Sequence, residues 1–114
     1  MTRTNETTKA ILTYLNHKGY KAWRNNNNAV YSVKQQSFRK NPTALKGVSD
    51  ILGFNKSTGL IIAIEIKTGK DKASPEQELF INDVNASGGI GLFVKTFDEF
   101  LLLHTQIQET KPKK

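Results

Sequence analysis

The side chains best suited to chemistry are an aspartate and a Glu-X-Lys triplet inside the stretch SDILGFNKSTGLIIAIEIKTGK. Asp50 heads the apolar run ILGF, while Glu65 and Lys67 interrupt the otherwise apolar run LIIAIEIK. Side chains alternate along a strand, so Ile62, Ile64 and Ile66 face one way and Ile61, Ala63, Glu65 and Lys67 the other. Glu65 and Lys67 are then neighbours on one face, with Cα atoms roughly 6–7 Å apart. An unpaired buried carboxylate is costly, so such a site supplies a counter-charge or stays wet. Lys67 offers one positive charge, and a divalent cation offers a larger one.

Asp50 is the second candidate ligand, and strand register decides whether it can act. With residues 54 and 60 as strand ends, direct partners sum to 114, which pairs Asp50 with Ile64 and turns it away from Glu65. A sum of 113 or 115, or a bulge, puts Asp50 on the face of Glu65. The metal reading requires one of these latter arrangements. Two carboxylates and a lysine suit phosphodiester hydrolysis. Hard oxygen ligands favour Mg2+, with Mn2+ as a substitute, bound through one or two carboxylates, waters and a substrate phosphate. The ion lowers the pKa of a water and neutralises phosphate charge. Lys67 can orient or deprotonate that water, or stabilise the transition state, and the sequence does not choose among these roles.

The flanking elements must position these groups. Ala10, Ile11, Tyr14 and Leu15 predict a helix over residues 5–18, closed by Gly19. YKAWR and AVYSVK read as a hairpin around the turn Asn25-Asn26-Asn27-Asn28, and QQSFRKNPTALK reads as a loop. GVSDILGF and LIIAIEIK form the next strand pair, joined through NKSTG. Ser74-Pro75-Glu76-Gln77 is a helix start with a capping serine, a proline at the first position and a capping-box glutamine. That helix should stop at Gly88-Gly89, followed by the strand IGLFV and a last helix opened by Thr96 to Glu99. The predicted order α-β-β-β-β-α-β-α implies an α/β fold, a mixed central sheet flanked by helices. Residues 1–110 form one domain, and residues 111–114 a disordered basic tail.

Composition narrows the partners. The 114 residues contain no cysteine, which excludes disulfides and thiolate metal sites and fits a cytoplasmic protein. No apolar stretch approaches the ~20 residues that span a bilayer, so no membrane association is expected. The net charge of +7 is uneven: residues 1–46 carry nine basic side chains and one acid, and the remainder eight and nine. That asymmetry favours a polyanion, most often nucleic acid. There is no P-loop glycine pattern, so no nucleotide cofactor is expected, and two distant histidines support neither a zinc-finger nor an HNH site.

Taken together, Gly47-Val48-Ser49-Asp50, Glu65-Ile66-Lys67-Thr68, Ser74-Pro75-Glu76-Gln77 and a glycine pair leading into a strand resemble the VRR-NUC family of the PD-(D/E)XK superfamily, with its restriction endonuclease-like fold. The resemblance runs from Gly47 to about Leu103, with a weaker echo in the first helix and in Trp23-Arg24-Asn25. It implies Asp50 and Glu65 as metal ligands with the Ile66 carbonyl, Lys67 as catalytic lysine and Gln77 lining the site. Glu6 matches the acid that the family places near the metals from its first helix. Ser49, where many relatives have proline, departs from the pattern. The short chain is similar to stand-alone viral and phage members, which act as homodimers on branched DNA such as Holliday junctions.

Blander readings stand beside these. Glu6 can simply favour its helix dipole, and Gln77 can do no more than cap. Lys21, Arg24, Lys46 and Lys70 are candidate phosphate contacts or ordinary solvated charges. Trp23 and Tyr31 could stack on bases, although a strand tryptophan is more often core, and core is the expectation for Trp23. The expected activity is a Mg2+-dependent deoxyribonuclease. The alternatives are a non-catalytic nucleic-acid-binding protein of the same fold and a purely structural protein.

Overall fold

The computed structural model describes residues 3–25, 30–32, 37–39 and 45–110. Its elements are α1 (Arg3–His17), β1 (Tyr20–Arg24), β2 (Val30–Ser32), β3 (Ser37–Arg39), β4 (Ile51–Asn55), β5 (Ile61–Ile66), α2 (Pro75–Ala86), β6 (Ile90–Val94) and α3 (Phe97–Thr110). Local signals set most of the boundaries. Gly19 takes φ 94° after α1, where a side chain would be strained. Ser74 and Gln77 form both halves of the capping box that opens α2. At α3 the Thr96 hydroxyl accepts from Glu99 N at 3.0 Å, while the Glu99 carboxylate reaches past Thr96 to accept from Lys95 N.

The central sheet runs β1-β4-β5-β6. β1 and β5 flank β4 in antiparallel fashion, and β6 lies parallel to β5. Parallel neighbours need a crossover, and α2 supplies it. Two expectations fail in the region between β1 and β4. β1 does not form a hairpin with β2 but pairs with β4, and the stretch read as a loop contains β3, which pairs with β2 in a separate two-stranded sheet. Asparagine turn chemistry favours a reversal without naming the partner strand. Pairing with β4 puts Tyr20 into the core, a gain that turn propensity does not register. Residues 26–29 and 111–114, where the notional turn and tail fall, lie outside the described residues.

The sheet separates two cores. On one face Ile51, Ile62, Ile64 and Ile66 pack with Ile11 and Leu15 of α1 and Phe100 of α3. His104 is fully buried there, with Nε2 3.2 Å from the Tyr20 hydroxyl, Nδ1 3.4 Å from the Tyr14 hydroxyl and its ring stacked on Phe100. On the other face Ala63 packs with Ile81 and Val84 of α2. This is the alternation expected along β5. α2 covers β5 and β6 and reaches Leu52 of β4, and among the described residues no helix is layered over β1 on that face. Trp23, expected in the core, is 44% exposed there, because among the described residues no helix is layered over it.

Candidate active site

β4 and β5 pair with Ile51 opposite Ile64 and Leu52 opposite Ala63, so partner numbers sum to 115. This is one of the two registers that carry Asp50 to the face of Glu65. Extending it by one pair sets Asp50 directly beside Glu65. Each acid is then held by the other strand. Ile66 N donates to Asp50 Oδ2 at 2.9 Å, and Asp50 N donates to Glu65 Oε1 at 3.2 Å. The second glutamate oxygen, Oε2, lies 3.4 Å from Lys67 Nζ and accepts from Gln77 Nε2 at 2.8 Å.

Gln77 therefore joins the helix cap to the acid. Its Oε1 accepts from Ser74 N at 2.9 Å and its backbone N donates to Ser74 Oγ at 3.1 Å, leaving Nε2 for Glu65. One side chain thus completes the capping box expected from the sequence and contacts Glu65. The loop before Asp50 is fitted to the same helix end. Gly47 has φ 83°, and a Cβ there would lie 2.5 Å from the Glu76 backbone. Ser49, the departure from the family pattern, is fully buried and donates its hydroxyl to Ile51 O at 2.8 Å.

Glu65 is only 3% exposed. Burial first, and the neighbouring Asp50 charge second, push its carboxyl up to about 7, and Lys67 offsets only part of this. Two adjacent carboxylates with one lysine, set against Glu65, are short of positive charge. That shortage, with oxygen-only donors, fits a hard divalent cation. The Ile66 carbonyl would add a third oxygen. A residue in an extended strand presents its N–H and C=O to the same side, and the Ile66 N–H is turned toward Asp50. Asp50, Glu65 and the Ile66 carbonyl are thus the groups that would hold the ion.

The structure does not add Glu6 to them. Among the described residues no three Asp, Glu, His or Cys side chains gather closely enough to hold a metal. Glu6 lines a groove with Lys9, Tyr14 and Phe97, and α1 packs on the face opposite Glu65. Arg24 is on the α1 side as well, donating to Asn5 Oδ1 at 3.1 Å. Lys21 is exposed two residues before Trp23, on the site's face of β1. Lys46 precedes Gly47, and Lys70 lies just past β5 in the turn where Asp71 N donates to Thr68 O; both are exposed.

One residue was missed as a site member. Asn25 N donates to Asp50 O at 2.7 Å, which continues the β1–β4 register and makes Asn25, Asp50 and Glu65 one cross-strand row. Its Nδ2 is buried without a hydrogen-bond partner among the described residues. Alternation along β1 groups Lys21, Trp23 and Asn25, but only the pairing with β4 says which face they share.

A mixed four-stranded sheet flanked by helices, with Asp, Glu and Lys meeting where two adjacent strands end, defines an α/β domain compatible with the restriction endonuclease-like fold. The VRR-NUC domain model matches residues 5–94, from α1 through β6, and the chain belongs to the VRR-NUC family. Its function is accordingly of the nuclease type, with DNA as the implied substrate. No curated protein and no solved structure matches the chain.

Proposed function

We propose that the protein is a metal-dependent DNA endonuclease that hydrolyses phosphodiester bonds with an activated water, acting on branched DNA such as four-way junctions. The observation that carries this reading is the register summing to 115, which sets Asp50 and Glu65 side by side with Lys67 against the glutamate. Magnesium, with manganese as a substitute, would supply Lewis acidity that makes water nucleophilic near neutral pH and offsets phosphate charge.

The chain's own groups do the rest. Gln77 and the Asp50 N–H hold the two Glu65 oxygens in one orientation, so little reorganisation is needed when charge develops. Lys67 is partly exposed at the rim and can turn its ammonium from Glu65 to a water or a phosphate oxygen. Asn25 offers an N–H donor beside Asp50 that has no acceptor among the described residues, and a phosphate oxygen would supply one. Branched DNA as the substrate follows from the resemblance to VRR-NUC relatives. A homodimer belongs to the same reading, since symmetric cuts across a junction need two sites and this domain carries one. A cytoplasmic location fits it too, and no helix among the described residues is long and apolar enough to cross a membrane.

The test is incubation with linear duplex, flap and four-way-junction DNA, with magnesium or with chelator. Cleavage is expected only with the metal and fastest on branched DNA. Glu65→Ala and Lys67→Ala should each lower the rate by roughly 10²–10⁴-fold while DNA binding persists. Digestion in chelator, or either variant cutting at the wild-type rate, would refute the assignment.

A further inference from the structure

The face of the sheet that carries the acids also carries an exposed aromatic pair. Trp23 and Phe54 are 44% and 38% exposed, with ring centroids 6.4 Å apart and planes inclined at 69°. The pairing registers order this face in rows: Asn25, Asp50 and Glu65; then Trp23, Leu52 and Ala63; then Lys21, Phe54 and Ile61. Trp23 is thus one row from the acids, a step of roughly 7 Å along a strand. α2 covers Ala63 but leaves Trp23, Phe54 and Ile61 open to solvent.

We propose that Trp23 and Phe54 form a base-stacking platform, so that the site takes DNA with unpaired nucleotides beside the bond to be cut. The inference rests on the nuclease reading for its substrate class, but it concerns binding and needs no cleavage. Base faces in an intact duplex are already stacked, whereas a flap, gap or junction edge leaves a π-face to be covered. Charge selects nucleic acid as the occupant. Lys21 is exposed in the row of Phe54, and Lys46 and Lys70 are exposed in the stretches that lead into Asp50 and out of β5. Lys21 next to the rings suits a backbone phosphate flanking the stacked base.

Trp23 is the chain's only tryptophan, so its fluorescence reports the platform directly. The whole protein, held in chelator, is titrated with a single-stranded oligonucleotide, a gapped duplex and a fully paired duplex of the same sequence. Quenching is expected with the first two and not with the third. Trp23→Ala and Phe54→Ala should weaken binding of a labelled single strand, read by anisotropy, by roughly 5- to 150-fold per lost stack, and Trp23→Phe should restore most of it. Unchanged affinity in both alanine variants would overturn the proposal. So would equal quenching by paired and unpaired DNA. A fluorescence change that follows protein concentration without DNA would also overturn it and give the face to a second copy. Quenching that persists in a protein unable to cleave with magnesium would support the platform and sink the nuclease reading, so the two failures are distinct.

Discussion

Glu65 carries the sharpest energetic consequence of the site. Its carboxyl is shifted from an ordinary value of 4.5 to about 7 by burial and by Asp50. In metal-free protein the folded state then holds a proton that the unfolded state releases between these two values. Stability should therefore fall as pH rises through that window, and the whole cost is present above about pH 7. Glu65→Gln keeps the shape and removes the charge. The amide leaves either the Asp50 N–H or the Gln77 Nε2 without an acceptor, so the readout is the change with pH. In chelator the wild type should lose melting temperature relative to the variant as pH rises from 5 to 8. Added magnesium should raise the wild-type melting temperature more than the variant's, because the variant keeps Asp50 as its one charged ligand. Parallel melting curves for the two proteins across this range would contradict the burial argument. An acid that weakens the fold at neutral pH is what a ligand site, rather than a core, is built to tolerate.

At the scale of elements, the site depends on how the loop before β4 meets the N-terminus of α2. Gly47 serves two needs there, a positive φ and a close approach to the Glu76 backbone. Gly88 has a positive φ with open space around it, so it separates the two effects. Gly88→Ala should cost about 1 kcal/mol, the left-handed penalty alone, whereas Gly47→Ala should cost roughly 2–4 kcal/mol because overpacking is added. Urea denaturation measures both. Only Gly47→Ala should also slow cleavage, since it displaces the helix end that presents Gln77 to Glu65. Equal costs at the two glycines would show that the loop and α2 are not in firm contact.

Across the whole molecule, the two faces of the sheet divide the work. One buries α1 and α3, and the other carries the acids, the open aromatic pair and Lys21. The basic first segment is therefore not one uniform binding surface, because Arg24 is turned to α1 while Lys21, Lys46 and Lys70 lie on or beside the site's face. Duplex-binding affinity should fall with salt. Replacing Lys46 or Lys70 by alanine should each reduce the log–log slope by about 0.9, and Arg24→Ala should leave it unchanged. A slope that responds most to Arg24 would put DNA on the α1 side and away from Asp50.

The amino-acid sequence by itself determined the parts of this protein that local physics controls. The capped start of α2, the glycine stops after α1 and α2, and the alternation that puts Glu65 opposite Ile64 all follow from residues a few positions apart. The candidate ligands Asp50 and Glu65, and Lys67 beside them, were legible because charged side chains on an apolar strand demand an explanation. Only the tertiary structure decided the register that joins Asp50 to Glu65, the pairing of β1 with β4 instead of β2, the exposure of Trp23 and the place of Asn25. It also kept Glu6 and Arg24 on the far side of the sheet. These outcomes depend on which strand lies next to which and which face a helix covers. Such choices are set by the burial of distant side chains against one another, and no short stretch of chain contains that information.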